Sequence, residues 1–286
     1  MRLFVFGMGF SSKAIVEQVR DRCTWIGGTT RSAEKAETLA ANGVTPFLFD
    51  GKQASDALLA ALAEATHVLV SIAPDESSDP VLNTCAETLR ASGPDWIGYL
   101  STVGVYGDHD GAWVNEDTPC KPVSRRSVQR VAAEAAWLEL AQETGLPVQI
   151  FRLSGIYGPG RNTFENFRKG TARRLVKPGQ VFNRIHVADI AGAVEAAMAR
   201  PQTRIYNVTD DMPAPPQDVV LYAAQLLGAE PPAEIPFETA DLTPMARSFY
   251  GENKRVSNAR LKEELGYTFK YPDYTVALQD LARLYL

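Results

Sequence analysis

Gly7-Met8-Gly9-Phe10-Ser11-Ser12 stands directly after the apolar run Arg2–Phe6 and leads into a stretch of helical periodicity over Ser11–Arg20. Strand, glycine turn and helix in that order make a cradle for the pyrophosphate of a dinucleotide. Gly7 permits the tight turn. Gly9 lets the anion approach backbone N–H groups at a helix N-terminus, whose dipole favours negative charge. Phe10 and Ser11 belong to that N-terminus, and Ser12 holds the third position, where a small residue allows helix–strand packing. The alternative is a glycine turn with no ligand.

A second feature concerns which dinucleotide. NAD sites carry a carboxylate about 20 residues on, for the ribose 2′-OH. Here that region reads Gly27-Gly28-Thr29-Thr30-Arg31-Ser32. It has no acid; it has a guanidinium flanked by the Thr30 and Ser32 hydroxyls. Such an Arg can pair with a 2′-phosphate, which favours NADP over NAD. The competing reading is that Arg31 merely starts an exposed helix. Asp50, ending a third apolar run, is placed to meet the adenine or to cap a helix. Ser71 and Ala73, ending a fourth, are small enough to line the ribose side.

These residues need a scaffold, and the chain alternates accordingly. Strands are expected at Arg2–Phe6, Cys23–Ile26, Val44–Phe49, Thr66–Ile72, Trp96–Leu100 and Val148–Leu153. Helices are expected between them, the longest over Val123–Gln142. The alternation predicts an α/β fold, a doubly wound parallel sheet (Rossmann) with helices on both faces. Helix Val187–Ala199 and strand Arg204–Asn207 close that sheet. From Asp211 onward prolines break the chain up. We therefore expect a dinucleotide-binding domain over 1–153 plus 186–208, and a smaller substrate-side domain over 154–185 plus 209–286.

Further stretches carry a family resemblance: Leu100-Ser101-Thr102-Val103-Gly104-Val105-Tyr106-Gly107, Asn115-Glu116-Asp117-Thr118-Pro119, Arg152-Leu153-Ser154-Gly155-Ile156-Tyr157-Gly158-Pro159-Gly160-Arg161 and Arg184-Ile185-His186-Val187-Ala188-Asp189. In order and spacing the chain resembles the extended short-chain dehydrogenase/reductases, the NAD-dependent epimerase/dehydratase group. Within it, the chain is most similar to a bacterial subgroup with G-x-G-x-x-G in place of G-x-x-G-x-x-G. The resemblance implies an oxidoreductase acting on a sugar-like or carbonyl small molecule. It also implies a catalytic hydroxyl at Thr102, and a Tyr-x-x-x-Lys pair at positions that here hold Arg126 and Arg130. Arginine effectively never loses its proton, so neither can be the base. Arg130 can hold a ribose or phosphate oxygen, and Arg126 an anionic substrate. The alternative is a non-catalytic NADP(H)-binding redox sensor.

Tyr106 and Tyr157, on loops at the sheet's C-terminal edge, are read as substrate-side candidates or as packing residues. Arg161 and Arg184 join them as substrate-side candidates. Tyr250-Gly251-Glu252-Asn253-Lys254 spells Tyr-x-x-x-Lys but falls in the Pro-broken tail and is read as a decoy. His186 and Asp189 are read as structural, with Asp189 capping its own helix. The basic run Arg168, Lys169, Arg173, Arg174 and Lys177 is a solvated face or a receiver of anions.

Composition narrows the partners. Of 286 residues, 34 are Asp or Glu and 29 are Lys or Arg, for net −5. An acidic chain argues against nucleic acid, and no apolar run approaches the roughly 20 residues of a membrane span. Three cysteines form no disulfide framework or metal quartet, so a cytoplasmic protein with no metal is expected. Its partner would be a small molecule, and its state monomer or homodimer. No signal peptide is read at the N-terminus.

Overall fold

The computed structural model describes residues 1–76 and 78–286. The elements of the first half are β1 (Arg2–Phe6), α1 (Phe10–Val19), β2 (Trp25–Thr30), α2 (Ala33–Ala41), β3 (Thr45–Leu48), α3 (Asp56–Ala63), β4 (His67–Val70), α4 (Pro80–Ser92) and β5 (Trp96–Thr102). Then come β6 (Trp113–Val114), α5 (Arg125–Thr144), β7 (Val148–Leu153), β8 (Gly155–Tyr157), α6 (Thr163–Arg168), β9 (Arg174–Val176), β10 (Arg184–His186) and α7 (Val187–Met198). The chain ends with β11 (Arg204–Val208), α8 (Pro216–Leu227), β12 (Glu234–Pro236), α9 (Pro244–Phe249), β13 (Arg255–Val256), α10 (Ala259–Leu265) and α11 (Tyr274–Ala282).

Seven strands form one sheet in the order β11-β7-β5-β4-β1-β2-β3. β1 pairs in parallel with β2 and β4, β2 with β3, and β4 with β5. This is the doubly wound order, and its strand order reverses between β1 and β4. The strands are apolar throughout because helices cover both faces. Phe4, Phe6, Val68, Val70, Ile97 and Tyr99 enter one core with Trp137 and Leu140 of α5. α5 itself buries Ala133, Glu134, Trp137, Leu140 and Ala141, a spacing that keeps one helix face inward. α4 is bounded by clear signals. Asp79 accepts from the Val81 and Leu82 N–H groups, Pro80 opens the helix, and Gly93 closes it.

The second strand lies later than its sequence suggested: Trp25–Thr30 rather than Cys23–Ile26. Gly27 and Gly28, beyond the expected end of that strand, lie in the sheet, and want of space requires glycine at both. A Cβ on Gly27 would stand 2.3 Å from the Trp25 ring, and one on Gly28 2.6 Å from Met8.

The chain forms two compact units. The first comprises Met1–Thr102, Arg125–Arg152 and Ile190–Tyr206; the second comprises Val103–Ser124, Leu153–Asp189 and Asn207–Leu286. Residues 103–124, which the sequence reading keeps with the nucleotide domain, cluster with the second unit. That unit has its own core of Phe164, Val219, Ala223, Tyr274, Leu278 and Leu281. Its strands form two-stranded parallel ribbons, β8 with β10, β9 with β12 and β6 with β13. At two or three residues each, they are too short to show a period in sequence.

Candidate cofactor site

In the first unit the β1–α1 turn is built on Gly7, at φ +91°. Its N–H donates to Thr29 Oγ1 at 2.8 Å, and Met8 N–H donates to the Thr29 carbonyl. Gly9 precedes α1 with no side-chain cap, and the first turn of that helix contains no acid. Nothing lies within 4 Å of where a Cβ on Gly9 would stand. Among the described residues Ser12 Oγ is buried without a hydrogen-bond partner. An open face over Gly9, uncapped N–H groups and no repelling carboxylate fit a pyrophosphate. Phe10 and Ser11 begin α1, as the motif requires.

The other cofactor-side candidates lie at the C-terminal ends of adjacent parallel strands. Thr30 ends β2, and Arg31 follows it, exposed. Ser32 acts structurally, because its hydroxyl caps α2 by accepting from Lys35 N–H. Asp50 is exposed and accepts from Lys52 N–H, a local turn contact. Ser71 is tied to β1 through its N–H on the Phe6 carbonyl, and Ala73 is exposed. Gly7 and Ser71 therefore flank the point where strand order reverses, the usual ligand crevice of such sheets.

Thr102 ends β5 and is half-buried. Arg126 is exposed on α5. Arg130, one turn on, is held against β5. Its Nη1 donates to the Leu100 carbonyl at 2.6 Å and to the Tyr99 hydroxyl at 3.1 Å. Tyr99 was not foreseen in this role; only its inward register on β5 reveals it. Nor was the buried cluster beneath it, where Glu134 accepts from Ser101 Oγ and from Arg152 Nε and Nη2.

The second unit corrects some expectations and agrees with others. Tyr106 is fully buried and its hydroxyl donates to Asn207 at 2.7 Å, so it is a core residue and not a cleft residue. Tyr250 packs on Phe237 and Phe182. Lys254 Nζ is spent on the Gly107 carbonyl and Glu252, so this Tyr-x-x-x-Lys is structural. Asp189 does not cap its own helix; it accepts from the Tyr267 hydroxyl and the Lys270 and Tyr271 N–H groups, pinning a distant segment. The basic run is largely compensated: Arg168 and Lys169 pair with Glu165, and Arg174 with Glu234. Arg161 is exposed on the loop after β8. Tyr157 and Arg184 come together on the β8–β10 ribbon. Among the described residues no group of three or more His, Cys, Asp or Glu is placed to hold a metal. No helix of the described residues is long and apolar enough to cross a membrane. A hollow of about 300 Å³ lined by Trp113, Asn115, Thr118 and Ser257 contains none of the candidate residues.

His186 gives a measurable signature. Its Nδ1 accepts from Ala188 N–H, and its ring packs on Tyr157 and Tyr271. Burial lowers its pKa to about 4. Between the ordinary imidazole value and about 4, the unfolded chain binds a proton that the native site refuses, so stability falls as pH drops through that window. Urea midpoints at pH 7 and pH 5 should show a loss that is smaller in His186→Gln. Equal losses in both proteins would refute it.

Similarity to known proteins agrees with this geometry. The model of the NAD dependent epimerase/dehydratase family matches residues 52–209. The chain belongs to that family. At 99% coverage of this chain and 98% of the other, it overlays a functionally unknown conserved protein from Silicibacter pomeroyi DSS, with 48% identity and a TM-score of 0.91. Protein YeeZ of Escherichia coli K12 is 28% identical over 95% of this chain and 97% of its own length. A human epimerase family protein, SDR39U1, solved with NADPH, shares the fold at a TM-score of 0.73 and 18% identity, covering 99% of each chain.

Proposed function

We propose that the chain binds NADP(H) and transfers hydride to or from a sugar-like or carbonyl small molecule. The observation that carries the cofactor choice is Arg31, exposed directly after β2, with no carboxylate between Gly27 and Ser32. Its guanidinium would pair with a 2′-phosphate, while the α1 N-terminus and Gly9 would hold the pyrophosphate. The bound nicotinamide supplies the hydride chemistry. Thr102 would hold the substrate oxygen by a hydrogen bond. Arg126, exposed on α5, would attract negative charge on the substrate. The proton would come from a group other than Arg126 or Arg130, such as water, because neither guanidinium can exchange one at working pH.

Titration calorimetry tests the cofactor. NADPH should bind at least tenfold more tightly than NADH, about 1.4 kcal/mol, and Arg31→Asp should remove or reverse that order. Equal affinities in the unmodified chain would defeat the NADP reading. One observation favours a second reading, a redox sensor without turnover: Arg130 Nη1 is already engaged by Leu100 and Tyr99. NADPH binding with no oxidation across a panel of carbonyl compounds and nucleotide sugars would select it.

A further inference from the structure

Three polar atoms around the β8–β10 ribbon are buried without a hydrogen-bond partner among the described residues: the Tyr157 hydroxyl, His186 Nε2 and Asp210 Oδ2. Gly155 stands opposite Arg184 and Tyr157 opposite His186. Strand alternation puts Tyr157, Arg184 and His186 on one face of the ribbon. Asp210 arrives from the end of β11, its N–H donating to the Arg184 carbonyl at 2.7 Å. The imidazole has a local explanation, since its ring meets the Tyr157 ring edge-on at 5.3 Å and 82°. The phenol and the carboxyl have none.

The charge balance of this face is uneven. Arg184 Nη1 donates to the Phe182 and Ala214 carbonyls, and the guanidinium lies 6.0 Å from the Tyr274 ring centre. Among the described residues no carboxylate stands within ion-pair distance of it. Asp210 is 1% exposed, and its Oδ1 accepts from Met212 N–H. Burial pushes this carboxyl up to about 8, which favours its protonated form on the acid side of that value. The other acids nearby are already engaged. Asp211 pairs with Lys262, Asp273 caps α11, and Asp189 accepts from Tyr267 and two backbone N–H groups. The face thus presents one uncompensated positive charge and two hydroxyl donors, a costly arrangement when nothing accepts from it. Gly155, opposite Arg184 in the ribbon, is exposed and is the point of this face nearest to solvent by its burial.

We propose that Tyr157, Arg184 and Asp210 form a subsite in the second unit for a carboxylate group of a small-molecule ligand, entered past Gly155. The guanidinium supplies the charge and the planar fork that suits a carboxylate; the phenol and the protonated acid donate to its oxygens. Once Asp210 ionises, it cancels the Arg184 charge and repels the ligand, so binding is lost as pH rises through about 8. The subsite goes beyond the cofactor reading and does not depend on it.

The probe is sodium acetate, titrated by calorimetry into the full chain without nucleotide, at constant ionic strength against sodium chloride. Saturable binding is expected at pH 6.5 and at least tenfold weaker binding at pH 9. Asp210→Asn should bind equally at both values, and Arg184→Gln should not bind. Tyr157→Phe, which removes only the hydroxyl, should weaken binding with an unchanged circular dichroism spectrum. Because the site offers one full charge, inorganic phosphate should bind more weakly than acetate. Absence of saturable acetate binding at pH 6.5, or acetate binding that survives in both Arg184→Gln and Tyr157→Phe, overturns the proposal and leaves the two buried groups bridged by water.

Discussion

Glu134→Ala should destabilise the protein by about 3–5 kcal/mol, the usual cost of removing one partner from a buried ion pair. Glu134 is 3% exposed and Arg152 4%. The Arg152 Nη2 to Glu134 Oε2 distance is 2.7 Å, Nε reaches both carboxylate oxygens at 3.2 Å, and Ser101 Oγ adds a third donor. Truncating the acid leaves a guanidinium among β5, β7 and α5 without its counter-charge. The cost comes from the stranded charge more than from the lost attraction, which makes a sharper test available. The double substitution Glu134→Leu with Arg152→Met should recover most of the loss, since apolar residues of similar volume pack there without desolvation cost. Urea midpoints of the three proteins measure it. A double variant as unstable as Glu134→Ala would show that the pair contributes directional bonding no hydrophobic replacement supplies.

Gly7→Ala should damage both fold and nucleotide binding, and Gly9→Ala mainly the binding. At Gly7 the backbone holds φ +91°, which costs an L-residue about 1–3 kcal/mol. A Cβ there would also stand 2.6 Å from Ile72 Cγ2 and 3.3 Å from the Ile72 backbone nitrogen. Relief requires β1 and the segment after β4 to part, which moves the start of α1. The Kd for NADPH should rise at least tenfold, about 1.4 kcal/mol. Gly9 has φ −89° and open space around it, so its variant should lose less than about 1 kcal/mol of stability. The methyl would occupy the path by which a pyrophosphate approaches the N–H groups, and NADPH binding should weaken as much as in Gly7→Ala. Thermal melts with calorimetry separate the two effects. Undiminished NADPH affinity in Gly9→Ala would remove the α1 N-terminus from the binding site.

What could be read in advance, and what could not, divides along physical lines. Apolar runs of four to seven residues separated by amphipathic helices announced β1, β3, β4, β5, β7 and β11 within a residue or two, because burial on both faces leaves a strong local mark. The expected second strand stopped short at Ile26 because glycine is a weak strand former; what requires glycine at 27 and 28 is the Trp25 ring and Met8, contacts that a sequence pattern does not carry. The turn at Gly7 and Gly9 was legible since glycine is the residue a tight turn next to an anion demands.

Side-chain destinations were another matter. Tyr106 and Tyr157 stand at strand ends in the same kind of local sequence, yet Tyr106 is sealed against Asn207 while the Tyr157 hydroxyl is buried without a partner among the described residues. Arg130, which the family resemblance pointed to for a ribose or phosphate oxygen, leans on Tyr99 and Leu100. Asp210 drew no notice as one acid beside another. By itself the order of residues determined the strand–helix alternation, the glycine turn and the missing acid beside Arg31, all properties carried by nearby residues. Only tertiary packing decided which polar groups are stranded in low dielectric, because desolvation depends on neighbours that are distant in the chain.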